Sequence, residues 1–209
     1  MMTDRTTNEA AVAEAAVAEA AVAEAAAAPA GSVQGAAAPS EALLTLRAPG
    51  RPVVHITDAP AAAYGSLVGA EIERCVRARG RCRLGLSGGA TPLPVYAWLR
   101  DHLPTEIYAQ LSVTWVDERH LPVIDGAPDR WQAFDAQSNL RGAYEAWLAH
   151  VPISPDRVLP MSLGGTIEAQ VLRFGRSFLS QFDGGLDVAV LGCGPDGHIA
   201  SLFPQHPAL

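Results

Sequence analysis

The sequence predicts a single α/β domain built on an open, mostly parallel sheet with helices on both faces. Three observations carry this reading. Short apolar runs rich in β-branched residues alternate along the chain with longer segments whose apolar residues recur every three to four positions. Two of the apolar runs, residues 82–86 and 186–191, lead directly into glycine-rich turns that carry polar residues. Open α/β sheets place their reactive groups in such turns, at the carboxyl ends of parallel strands. Residues 41–209 are enough chain to bury one core.

Along the chain, residues 52–57 read as a first strand, and Thr57 or Asp58 can cap the helix that comes next. Tyr64, Leu67, Val68, Ile72, Cys75 and Val76 recur at helical spacing up to Gly80. Residues 82–86 form a second strand. Pro92 suits the first turn of a helix running to Leu103, with Thr91 in a capping role. Residues 112–116 make a third strand ending at Asp117-Glu118-Arg119, and residues 121–136, rich in Pro, Asp and Gly, read as a long loop. A helix over 138–150 turns Leu140, Tyr144, Trp147 and Leu148 inward. Residues 157–161 are a short strand. A helix over 166–182 places Ile167, Val171, Phe174, Phe178 and Phe182 on one face. Residues 186–191 are the last strand. This alternation is the pattern of a Rossmann-like sheet, and right-handed crossovers bring the strand ends carrying Ser87, Asp117 and Gly192 to one rim. Leu202, Phe203 and Leu209 come after it with no further element to bury them. A strand as hydrophobic as 186–191 ordinarily has neighbours on both sides. The C-terminal part of the domain is therefore expected to be missing from this sequence.

The front of the chain is different. Residues 10–24 are three copies of Ala-Ala-Val-Ala-Glu. A five-residue step rotates a helix by about 140°, so the valines share no face. Residues 1–40 are expected to be a disordered Ala-rich extension. They hold Arg5 against Asp4, Glu9, Glu14, Glu19 and Glu24, the reverse of a basic targeting segment. The net charge is −7, of which residues 1–40 contribute −4, so the domain is only mildly acidic. Nucleic acid is not an expected partner, and no apolar run is long enough to span a bilayer. All 15 basic residues are arginine, which excludes a lysine Schiff base or a Walker-type phosphate loop within this sequence. Cys75, Cys82 and Cys193 are odd in number and show no CxxC spacing, pointing to a cytoplasmic protein with unpaired thiols.

Two loops carry chemistry. In Ser87-Gly88-Gly89-Ala90-Thr91-Pro92 the glycines let backbone N–H groups approach a ligand, the following helix presents its positive end, and Ser87 and Thr91 add hydroxyls. That suits phosphate, although an ordinary strand-to-helix turn has the same composition. Gly85 to Gly89 also matches the GxSxG nucleophile elbow, a weaker reading because the Thr-Pro pair is better explained by a helix start over an anion. The turn from Gly192 to Gly197 fits GxGxxG, but Pro195 removes a donor and no first βα unit lies there. His198 is the best candidate general base, with Asp196 to orient its ring. Arg119 offers a planar fork for phosphate, and Asp117 or Glu118 can hold sugar hydroxyls or position the arginine. No metal-ligand spacing occurs.

LSGGATP at 86–92, VDERHLP at 116–122, SNL at 138–140 and LGCGPDGHIASLFP at 191–204 together resemble the 6-phosphogluconolactonase family, within the superfamily that also holds glucosamine-6-phosphate deaminases. The resemblance covers residues 50–209. Deaminases of that superfamily carry an acid five positions after the histidine. Phe203 stands there in this sequence, and Asp-Glu-Arg replaces their usual Asp-Glu-Tyr, so the lactonase branch is the closer likeness. The resemblance implies hydrolysis of 6-phospho-D-glucono-1,5-lactone to 6-phosphogluconate in the oxidative pentose phosphate pathway. It implies no metal or organic cofactor and a small-molecule phosphorylated sugar lactone as partner. The sequence leaves the oligomeric state open, with a monomer favoured. His198 and Asp196 would be catalytic, and Ser87, Gly88, Gly89, Thr91, Asp117 and Arg119 would bind substrate. The family also continues well past the histidine block and adds a lysine near the phosphate, which this sequence lacks. The alternatives are a deaminase, a serine hydrolase acting through Ser87, or a truncated sugar-phosphate binder without turnover.

Overall fold

The computed structural model describes residues 43–46, 50–120, 137–161, 166–207 and 209. The expected extension over 1–40 and the expected loop over 121–136 lie outside the described residues.

Strands β1 (Leu43–Leu46) and β2 (Val54–Thr57) pair antiparallel, with Leu43 opposite Thr57 and Leu46 opposite Val54. They form a ladder of their own. This corrects the expectation that the first strand joins the parallel sheet. The segment reads as strand because Val54 and Ile56 alternate with His55 and Thr57, and alternation does not name the partner.

Helix α1 (Pro60–Arg79) starts on a proline at its first turn and stops at Gly80, whose φ of 68° turns the chain left-handed while its N–H closes on Val76 O at 2.7 Å. Neither expected cap forms: Thr57 Oγ1 accepts from Ala59 N, the N-cap residue itself, and not from the first turn. Val68, Ile72 and Cys75 make the buried stripe. Gly65 lets α1 approach closely, since a Cβ there would meet the Trp98 ring at 2.7 Å.

The main sheet has the order β5-β4-β3-β6 and all its strands are parallel, as the sequence predicts. Strand β3 (Cys82–Leu86) is central, flanked by β4 (Leu111–Trp115) and β6 (Val188–Ala189), with β5 (Val158–Leu159) beyond β4. Leu84 faces Val113 on one side and Val188 on the other. The last two strands are shorter than their apolar runs. Helices α2 (Leu93–His102), α3 (Asn139–Ala146) and α4 (Ile167–Phe182) form the crossovers. The chain steps outward from β3 to β5 and then returns past β3 to β6. Right-handed connections therefore put α2 and α3 on one face and α4 on the other. The predicted helix over 138–150 breaks at Trp147 into a 3₁₀ turn, Leu148–His150.

The core lies between β3, β4 and the first helical layer: Leu84, Leu86, Leu111 and Val113 against Ile72, Tyr96, Leu99, Leu140 and Trp147. The layer carrying α4 is less covered. Phe174, Phe178 and Phe182 do stack in sequence, at 5.6 and 5.2 Å. Only Phe182 of that face is buried, whereas Ile167 and Val171, like Leu172 and Leu179, are more than half exposed. Periodicity identifies an apolar face but does not supply the surface that covers it. Among the described residues no helix is long and apolar enough to cross a membrane.

A charged cluster ties the end of α1 and the segment before β6 to β3. The Asp187 side chain is 1% exposed and pairs with Arg79 and with Arg83 Nε at 3.1 Å, and it accepts the Arg83 backbone N–H at 2.9 Å. Burial opposes its ionisation, but the Arg83 hydrogen bonds and the two arginine charges outweigh it and hold the carboxyl below its ordinary value. A depressed folded-state pKa gives stability that is complete above the ordinary carboxylate range and lost as pH falls through the folded value. Urea titration is expected to show Asp187→Ala destabilised by about 3 kcal/mol, because Arg83 is left without its buried partner. Asp187→Asn is expected to flatten the acid limb of the stability profile. An unchanged acid limb in that variant would remove Asp187 as its source.

Candidate active site

Parallel strands place the ends of β3, β4 and β6 on one rim, where the strand order reverses around β3. Seven of the nine residues singled out from the sequence line one cavity of about 240 Å³ there: Ser87, Gly88, Gly89, Thr91, Asp117, Arg119 and His198, with Asp196 and Glu118 outside its wall. Asp196 lies behind the histidine.

The loop after β3 is built for close approach. Ser87 is buried, and its N–H and C=O both bond the Tyr96 hydroxyl. Gly89 has φ of 83°. Gly88 lies against the Asn139 carboxamide so tightly that a Cβ would fall 1.7 Å from Oδ1. Thr91 does not cap α2. Pro92 takes that position in a helical conformation, its carbonyl accepting from Tyr96 N at 3.0 Å, and no side-chain cap forms. The positive end of the helix is thus left to whatever occupies the cavity.

The loop after β4 divides its three charged residues. Glu118, a candidate for sugar hydroxyls on its sequence position, has its carboxylate committed to the start of α3. Oε1 accepts from Asn139 N at 2.8 Å and Arg119 N at 2.7 Å, and Oε2 accepts from Leu140 N at 2.9 Å and Ser138 Oγ at 3.1 Å. It satisfies orphan N–H groups at a helix N-terminus, which a local reading of the sequence could not pair across 20 residues. Asp117 accepts from Asn139 Nδ2 at 3.2 Å through Oδ1 and from Ser201 Oγ at 2.7 Å through Oδ2. It therefore joins the end of β4 to the histidine turn. Arg119 is exposed at the mouth.

In the turn after β6, Gly194 N–H bonds His198 O, Gly197 N–H bonds Gly194 O, and Gly197 has φ of 86°. The fold brings Asp196 Oδ1 to 2.5 Å from His198 Nδ1 and 3.3 Å from His198 N. The hydrogen bond from the ring, then that from the backbone, hold Asp196 below the ordinary carboxyl value. An ionised carboxylate only accepts, so Nδ1 donates in this pair and Nε2 is the ring nitrogen left outside it. The ring is held from two sides. Phe203 lies 4.6 Å away, and at Gly194 a Cβ would come within 2.2 Å of the imidazole.

Two rival motif readings lose their context. No helix follows the Gly192 turn among the described residues, as a dinucleotide fingerprint requires. Among them also, no hydrogen bond joins Ser87 Oγ to a histidine, as a nucleophile elbow requires. No group of three His, Cys, Asp or Glu side chains converges to hold a metal ion among the described residues. The sequence does not single out Asn139, which lines the cavity, nor Tyr96 and Ser201, which hold the loops around it. Asn139 and Ser201 had a signal, their places in the SNL and LGCGPDGHIASLFP blocks.

Residues 56–209 match the family described as glucosamine-6-phosphate isomerases/6-phosphogluconolactonase. The chain is 33% identical over 159 residues to 6-phosphogluconolactonase of Mycobacterium tuberculosis, a match covering 71% of this chain and 60% of that protein. It is 37% identical over 147 residues to that of Synechocystis, covering 66% and 55%. The crystal structure of 6-phosphogluconolactonase from Thermotoga maritima superposes with a TM-score of 0.61 at 28% identity, over 70% of this chain and 62% of that one. The chain thus spans about three-fifths of the length of the relatives it matches. The matched span takes in the residues that form the cavity, and this chain belongs to the glucosamine-6-phosphate isomerase/6-phosphogluconolactonase family.

Proposed function

We propose that the protein hydrolyses 6-phospho-D-glucono-1,5-lactone to 6-phosphogluconate. The observation that carries this reading is the Asp196–His198 pair, whose ring lines the same cavity as an uncapped helix N-terminus and a glycine loop. The phosphate binds at Gly88, Gly89 and the start of α2, with Arg119 closing over it. Asp117 receives sugar hydroxyls. Anchoring one end of the substrate orients the lactone carbonyl beside His198.

His198 Nε2 takes a proton from water as its oxygen attacks C1, forming a tetrahedral oxyanion. Asp196 stabilises the imidazolium that results. Collapse of the intermediate breaks the bond from C1 to the ring oxygen, which takes the proton back from His198 and leaves as a hydroxyl. The new acid ionises to carboxylate. Ester hydrolysis by this route needs no cofactor. A charged, diffusible substrate and three free thiols support a cytoplasmic setting.

The test is turnover of freshly prepared lactone, followed as 6-phosphogluconate above the spontaneous rate. Arg119→Ala is expected to raise KM about tenfold or more, the worth of a lost charge-assisted hydrogen bond. Binding of 6-phosphogluconate without any rate enhancement would leave only a sugar-phosphate binder. Release of ammonia from glucosamine 6-phosphate would point to a deaminase.

A further inference from the structure

Tyr96 is fully buried and is not part of the cavity wall, yet it controls the loop that is. Its hydroxyl accepts from Ser87 N at 2.9 Å and donates to Ser87 O at 2.7 Å, so one side chain fixes both backbone polar groups of a single loop residue. The phenol cannot swing away. Its ring stacks on Trp147 at 6.0 Å, and Trp147 is itself fixed by its indole N–H donating to Tyr108 Oη at 3.2 Å. Burial pushes the Tyr96 pKa up, and the Ser87 hydrogen bond only partly offsets this, so the hydroxyl keeps the proton that it donates. The backbone N–H of the same residue closes the first turn of α2 on Pro92 O. Tyr96 therefore joins the glycine loop to the helix N-terminus. With the polar groups of Ser87 consumed, no hydrogen bond among the described residues engages the N–H of Gly88 or Gly89.

We propose that Tyr96 is a positioning residue for anion recognition, clamping Ser87 so that the Gly88 and Gly89 amides are arranged before the ligand arrives. This rests on reading the cavity as a sugar-phosphate site. Without the clamp the loop must be ordered on binding, and ordering even one residue weakens affinity about tenfold.

The test compares Tyr96→Phe with the unaltered protein by calorimetry, using inorganic phosphate and 6-phosphogluconate as probes. Both dissociation constants are expected to rise by the same factor, about tenfold, well below the variant's unfolding midpoint. In turnover, KM for the phosphorylated lactone rises with kcat within about twofold, while hydrolysis of phosphate-free gluconolactone is unchanged. A merely structural role would lower the midpoint and leave affinity alone. Amide exchange on the unaltered protein supplies a measurement independent of the variant. Ser87 N–H is expected to be protected without ligand, and Gly88 and Gly89 N–H only after inorganic phosphate is added. Unaltered affinity in Tyr96→Phe, or fast exchange at Ser87, overturns the clamp alone. Failure of the unaltered protein to bind either probe overturns the clamp and the sugar-phosphate reading together.

Discussion

His198→Ala is expected to lower lactone hydrolysis by about 10²–10⁴-fold, the usual worth of a positioned general base, while 6-phosphogluconate binds with little change. The geometry separates the two readouts. The imidazole pairs with Asp196 and packs on Phe203, all within the turn that follows β6, whereas the glycine loop is held independently by Tyr96 and Asn139. Its side chain is 31% exposed, so truncation leaves no buried cavity and the thermal midpoint is expected to hold. Asp196→Asn is also expected to reduce turnover, since the ring stays in place but an amide neither fixes its tautomer nor balances the imidazolium. Turnover that survives in His198→Ala would assign the base to another group.

Gly88→Ala is expected to abolish measurable binding of inorganic phosphate and 6-phosphogluconate, a loss of about 100-fold or more, because packed groups this close cannot both stay in place. The new methyl group would lie 1.7 Å from Asn139 Oδ1 and 2.0 Å from its Cγ. Asn139 has nowhere to go. Its Nδ2 bonds Asp117 O at 3.1 Å and Asp117 Oδ1 at 3.2 Å, and its backbone N–H is held by Glu118. The glycine loop must move instead, and its donors move with it. Gly89→Ala is the control. Gly89 has φ of 83° but nothing within 4 Å of an added Cβ, so only backbone strain of about 1–2 kcal/mol opposes that change. Equal effects at the two positions would show that the contact with Asn139 is not what sets the loop.

Particular residues mark how far the sequence could be read. The strand over 82–86, its glycine loop and the Asp-Gly-His turn are legible because each is a local pattern. Asp196 and His198 are two residues apart, and a tight turn leaves little choice about their meeting. Glu118 misleads for the opposite reason. A carboxylate at a strand end looks like a ligand until the helix that it caps, 20 residues on, is known to begin beside it. Ser201 and Asp117 are 84 residues apart, and no spacing rule links them. Tyr96 reads as one more apolar position on an amphipathic helix. Only the packing of α2 on β3 turns its hydroxyl to Ser87.

Composition and periodicity by themselves determined that this chain alternates strand and helix and ends two of its strands in glycine-rich turns, because hydrophobic burial acts with the period of each element. Tertiary structure alone decided that β2 pairs with β1 rather than with the parallel sheet, and that Asn139 and Tyr96 shape the glycine loop. Those outcomes depend on which surfaces meet, and strand register and helix packing bring together residues whose local sequences carry no record of one another.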